Sequence, residues 1–138
     1  MRKRKSWTDK LKSAKPHEVK PAPMDFAGMR KGEIMLVPSP QIIDAFIREL
    51  PRGRSMDVGT LRRELARRHG AEITCPITTG ILLRMVAEAA CEAHEQGVSI
   101  KEITPVWRVI AEDAPLLKKL FFGPAFSLEQ RRAEALSG

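Results

Sequence analysis

From Thr78 to about Gln96 the sequence is almost unbroken in apolar or small side chains: Ile81, Leu82, Leu83, Met85, Val86, Ala87, Ala89, Ala90, Cys91 and Ala93. A helix of that composition is apolar around most of its circumference, so any fold must pack the remaining elements around it. Thr78 or Thr79 can cap its start, Gly97 stops it, and Arg84, Glu88, Glu92 and Glu95 are left to face outward. Two shorter amphipathic helices precede it. One covers about Gln41–Leu50 behind Pro38-Ser39-Pro40, with Ile42, Ile43, Phe46, Ile47 and Leu50 on one face, and Pro51-Arg52-Gly53 ends it. The other runs from Val58 to about His69 between Asp57 as N-cap and Gly70 as stop. Its Val58, Leu61, Leu65 and Ala66 point inward, and its Arg62, Arg63, Arg67 and Arg68 outward. Ser99–Ile103 and Trp107–Ile110 read as short extended pieces around Thr104-Pro105, and a last helix is expected over about Ser127–Leu136. Three helices followed by an extended pair is the element order of a winged helix-turn-helix. The expected fold class is therefore mainly α with a short β wing.

Charge divides the chain in two. Residues 1–31 carry ten basic and three acidic residues, a net +7, whereas residues 32–138 balance at 14 of each. The first segment, with Pro16, Pro21 and Pro23 and few apolar residues, is expected to be a disordered basic arm, drawn to polyanions or simply solvated. Residues 32–138 form the folded body. Within that body, seven arginines (48, 52, 54, 62, 63, 67 and 68) fall between Arg48 and Arg68 against Glu49, Asp57 and Glu64. Guanidinium groups grip phosphate oxygens in a fork, so this cluster suits a nucleic-acid backbone.

Several function classes are excluded. No apolar run approaches the roughly 18 residues of a membrane span, and the basic N-terminus lacks the apolar stretch of a signal peptide, so a cytoplasmic protein without a membrane partner is expected. Cys75 and Cys91 form no CxxC pair or disulfide framework. No phosphate-loop, dinucleotide-binding or HExxH motif occurs, and Cys91 with His94 is too small a set for a metal, so neither cofactor nor metal is expected. With two Trp, five Phe and no Tyr, stacking platforms of the RRM or OB kind are disfavoured.

The stretch Leu50-Pro51-Arg52-Gly53-Arg54, the helix after it, Gly80 in the next helix, and Pro105-Val106-Trp107-Arg108-Val109-Ile110 resemble, in that order, the DNA-binding domain of methylguanine-DNA methyltransferases. The likeness covers about Pro40–Leu136 and extends to the alkyltransferase-like proteins, which lack the acceptor cysteine and bind lesions without repairing them. It implies a winged helix-turn-helix that enters the minor groove of duplex DNA and turns a damaged guanine out of the stack. The departures decide the chemistry. Val106 stands at the acceptor cysteine and Trp107 at the proton-relay histidine, the family's tyrosine falls at Val58, and its base-stack arginine falls near Ile77. Valine has no nucleophilic atom, so alkyl transfer by the family's route is excluded.

Cys75, just before the long helix, is a candidate substitute acceptor with His69 as the nearest base, or a small residue packed in a turn. Arg84 either contacts DNA or pairs with Glu88 at i+4, and Trp107 is either a wedge against a base or wing core. Arg108 either lines the pocket or holds its turn. The expected DNA-binding set is Arg52, Arg54, Arg62, Arg63, Arg67, Arg84, Trp107 and Arg108, in a protein that recognises alkylated or otherwise damaged DNA for repair. Two rivals remain: an alkyltransferase using Cys75, and a helical module docking a protein through Leu116–Phe126.

Overall fold

Ser39 and Asp57 start two helices by the same device, a side-chain oxygen accepting the N–H three residues on. Ser39 Oγ takes Ile42 N–H at 3.3 Å and Asp57 Oδ1 takes Thr60 N–H at 2.7 Å. In the computed structural model, which describes residues 6–121 and 123–136, these begin α2 (Pro40–Arg48) and α3 (Val58–Arg68). The long helix α4 runs Pro76–Glu95, two residues ahead of the first expected cap. Pro76 occupies its first turn, where a fixed φ is suited to helix and the missing N–H costs nothing. Thr79 is therefore inside the helix, its hydroxyl donating back to the Cys75 carbonyl at 2.7 Å. The last helix, Ala125–Ala133, also begins two residues early and leaves Ser127 buried rather than capping. It is named α5.

The expectation of a disordered arm over residues 1–31 fails for the part described. Trp7–Lys12 form a helix, α1, and Glu18–Pro21 a strand, β1. Strand β1 pairs antiparallel with β2 (Ile34–Val37), and β2 pairs parallel with β3 (Ile73–Thr74), giving a three-stranded sheet in the order β1-β2-β3. The boundary at residue 31 therefore cuts through a β-hairpin-like pair. Helix α1 is held by its neighbours. The Glu92 carboxylate of α4 accepts the N–H groups of Trp7 and Thr8 at 3.1 and 3.2 Å and the Thr8 hydroxyl at 3.0 Å, and Gln41 of α2 donates to the Leu11 carbonyl at 2.7 Å. Residues Met1–Lys5 lie outside the described residues.

The expected extended pair does not form. Residues 103–107 are all buried, as are Val109 and Ile110, a pattern that a two-sided strand with alternating faces cannot produce. The chain instead makes a 3₁₀ turn at Val106–Arg108. Its carbonyls are taken from elsewhere: Arg131 of α5 donates to Trp107 O at 2.6 Å and to Ile110 O at 3.2 Å, and Met56 N–H donates to Arg108 O at 2.8 Å. A second 3₁₀ turn follows at Pro115–Lys119.

The fold is thus mainly α with one small sheet. Its main core gathers Leu36, Ile43, Ile47, Leu65, Val86 and Trp107 from the sheet, α2, α3, α4 and the first 3₁₀ turn. A smaller cluster of Ala22, Met29, Met35 and Cys75 lies under the loop between β1 and β2. No helix among the described residues is long and apolar enough to cross a membrane.

Candidate nucleic-acid interface

Helix α4 leaves one stripe unpartnered at its N-terminal half. Ile77 and Ile81 are 54% and 63% exposed, and Arg84 follows one turn later on the same face. This stripe forms one wall of a cavity of about 630 Å³. The opposite walls come from Asp57 and Val58 at the start of α3, from Val109–Ala111, from Ala114–Leu116 and from Trp7 of α1, with Lys119 also in the lining. Gly80 adds openness, since a Cβ there meets nothing within 4 Å. No Cys, Ser, Thr or His is among the described lining residues.

Arg84 is half-exposed at this cavity. Its Nε is buried without a hydrogen-bond partner and lies 3.7 Å from the Glu88 carboxylate, so the i+4 pairing exists as an ion pair only. Glu88 itself was expected to face water and does not: it is fully buried, and both its oxygens accept the Phe121 N–H, at 2.8 and 2.9 Å. A carboxylate on that face would be solvated by default. Here the Phe121 segment folds over it.

The arginine cluster is not one patch. Arg48 binds Asp44 and the Glu102 carbonyl, Arg67 binds Glu64, and Arg68 grips both oxygens of Glu49 at 2.8 and 2.9 Å while lying over the Phe46 ring. Hydrogen bonding from Arg68 lowers the Glu49 pKa, and that from Arg67 lowers the Glu64 pKa. Arg62 reaches the Thr74 carbonyl at 3.4 Å, fastening α3 to β3. Among the described residues Arg52, Arg54, Arg62 and Arg63 make no ion pair. Arg63 shares the start of α3 with the cavity and bonds Thr60, whereas Arg52 opens onto a separate depression of about 360 Å³ that includes Arg48, Lys101 and Arg108. The structure therefore brings Arg84 to the cavity, with Arg63 on the helix that opens it. Arg52 is displaced to another surface.

Trp107 and Arg108, expected at the DNA face, lie away from the cavity: both line the depression onto which Arg52 opens, and both are bound to Glu134. Trp107 is 1% exposed and donates its indole N–H to Glu134 at 2.6 Å. Arg108 gives Nε and one terminal nitrogen to Glu134, at 3.0 and 2.9 Å, and the other to the Leu50 carbonyl at 2.7 Å. The Gly53 N–H completes the shell of Glu134 at 2.8 Å. Burial pushes the Glu134 pKa up, but the bonds from Arg108, Gly53 and Trp107 and the charge of Arg108 reverse this and hold it at about 2. Of the two roles open to Arg108, turn-holding is the one built. Val106 beside them is likewise buried.

Cys75 does not line the cavity. It is buried in the smaller cluster, and the Thr78 hydroxyl donates to its sulfur at 3.4 Å. No hydrogen bond joins it to His69 among the described residues; the His69 ring instead packs at a tilt against His17, centroids 4.5 Å apart, with burial, His17 and Arg68 lowering its pKa. Cys91 is buried too, its thiol pushed up to about 11 by burial and by Glu88 and Glu95. The apolar side chains of Leu116–Phe126 divide between core and surface. Leu117 and Leu120 are core, Phe126 packs edge-on against Trp107, Leu116 lines the cavity, and Phe121 alone of those described is widely exposed; Phe122 lies outside the described residues.

Sequence reasoning missed Trp7, Glu88, Glu92 and Glu134. Each acts through a partner far along the chain, at separations of 85, 33, 84 and 27 residues in the bonds Trp7–Glu92, Glu88–Phe121, Thr8–Glu92 and Trp107–Glu134. The chain matches no protein-family model, and neither a curated protein nor a solved structure is significantly similar to it.

Proposed function

We propose that this chain binds duplex DNA and recognises an alkylated or otherwise damaged guanine without repairing it. In this reading α3 and α4 act as a helix-turn-helix with α4 as the recognition helix. The observation that carries the reading is the open cavity at the exposed face of α4, large enough for a base and bordered by Arg84 and the start of α3. The exposed cations Arg54 and Arg63 are available for phosphate contacts. Against repair stands the absence of a thiol, hydroxyl or imidazole from the described lining, together with the burial of Cys75 in another cluster.

The test is a binding titration at several salt concentrations, comparing plain duplex with the same duplex carrying one O6-methylguanine. Tighter binding to the modified duplex is expected, with about five phosphate contacts giving a log–log salt slope near −4 to −5. Equal affinity would remove lesion recognition, and a slope of zero would remove DNA binding. Intact mass after incubation with the modified duplex should show no added methyl group. A stoichiometric gain abolished by Cys75→Ser would restore the transferase reading.

A further inference from the structure

The cavity has one aromatic residue in its described lining, and it comes from outside the helical body. Trp7 stands half-buried at the mouth with the Arg84 guanidinium 5.9 Å from its ring centre and Lys10 Nζ at 4.2 Å. Its position is fixed at both ends of α1. Glu92 holds the N–H groups of Trp7 and Thr8, and Gln41 holds the Leu11 carbonyl. The Glu92 carboxyl is kept ionised for this role, its pKa lowered by those bonds against the opposing effect of burial. The rest of the lining is aliphatic apart from Asp57, Arg84 and Lys119, and Asp57 is spent on capping α3.

We infer that Trp7 is the specificity-determining wall of the cavity, stacking on a planar purine ring whose edge acceptors face the Arg84 guanidinium. The inference rests on the DNA reading for its natural ligand. It differs from that reading in placing the discriminating contact on the N-terminal helix and not on α3, α4 or the 3₁₀ turn at Val106–Arg108. A flat indole is sequence-tolerant in what it stacks on, and the guanidinium standing over its ring brings charged donors to the same place. Glu92 and Gln41 are positioning residues, since they touch α1 and not the cavity.

The experiment uses the full chain and two probes. The first is the duplex with one O6-methylguanine against plain duplex. Trp7→Leu should lose about tenfold in affinity for the modified duplex and less than twofold for the plain one. Intrinsic fluorescence should be quenched by the modified duplex in the parent chain and not in Trp7→Phe, because Trp107 is enclosed. Glu92→Gln should shift discrimination in the same direction by a smaller factor. The second probe is 8-anilinonaphthalene-1-sulfonate, an aromatic anion that needs no DNA. Its affinity should fall about tenfold in Trp7→Leu and in Arg84→Gln. If the parent chain binds neither duplex yet the aromatic anion still depends on Trp7, the DNA reading fails and the Trp7 wall stands. If Trp7→Leu keeps both lesion discrimination and aromatic-anion affinity, the inference is overturned.

Discussion

Two regions of this molecule carry the residues that a sequence reader would choose as a site, and they are built on opposite terms. Around Glu134 all three side-chain nitrogens of Arg108 are bonded inside the protein, to Glu134 and to the Leu50 carbonyl, and the Trp107 indole and the Gly53 N–H also donate to Glu134. At the exposed face of α4 the opposite holds. Two isoleucines stand in solvent, Arg84 is half-exposed and held only by a 3.7 Å ion pair to Glu88, and the space beside them is open. An arginine beside a tryptophan means little until its donors are counted. A guanidinium held on every nitrogen by buried acceptors is a structural clamp, and one held only by a long ion pair at an open face can turn to a ligand.

The largest expected effect breaks the closed region. Glu134→Ala leaves the Arg108 charge and the Trp107 N–H unpaired in the interior and should cost roughly 3–5 kcal/mol, seen as a large drop in melting temperature. DNA affinity per folded molecule should be unchanged. The same carboxylate sets an acid limit. Its folded pKa of about 2 lies below the ordinary value of 4.5, so its contribution is complete above about pH 4.5 and is lost as pH falls toward 2. A stability profile that stays flat between those values in the parent chain, or equally steep in Glu134→Ala, would contradict this assignment.

Next in size is the link between the regions. Glu88→Ala removes the acceptor of the Phe121 N–H and the partner of Arg84, and should cost about 1–3 kcal/mol in chemical denaturation. Lesion-specific affinity should fall with it, because Arg84 loses the charge that orients it. A smaller effect separates open cations from spent ones. Arg63→Ala should reduce the magnitude of the salt slope by about 1, while Arg67→Ala, already bonded to Glu64, should change it less. Equal changes would mean that the Glu64 pair opens on binding and that the division drawn here does not hold for exposed arginines. The smallest effect is Arg68→Ala, whose exposed, solvent-screened pair with Glu49 should leave the melting temperature nearly unchanged.

Helices α2, α3 and α4 were legible because their signals are local. Ser39 and Asp57 act on residues three positions away, and the Ile43, Phe46, Ile47 spacing repeats within one helix. The N-terminal segment was not, because nothing near Trp7 or Val19 announces order. The order comes from Glu92, from Gln41 and from the edge of β2. The wing failed for a related reason. Extended and 3₁₀ backbone are alike in composition at Pro105-Val106-Trp107, and the choice is made by Arg131 and Met56, which take the carbonyls a neighbouring strand would have used. For the cavity the sequence supplied Arg84 and little else: its aromatic wall lies in the segment that composition assigns to solvent.

Trp7 cannot find its place until Glu92 has been made, 85 residues later. At roughly 5–20 residues per second, a translating ribosome leaves the N-terminus waiting about 4–17 s for its anchor. The wall of the cavity that is synthesised first thus waits for an anchor made much later. Once set, α1 is tied by a few side-chain bonds and buries no residue fully, which makes it ready to open in native-state hydrogen exchange. Amides of α1 should therefore exchange well before those of α4, and a ligand stacked on Trp7 should slow them selectively.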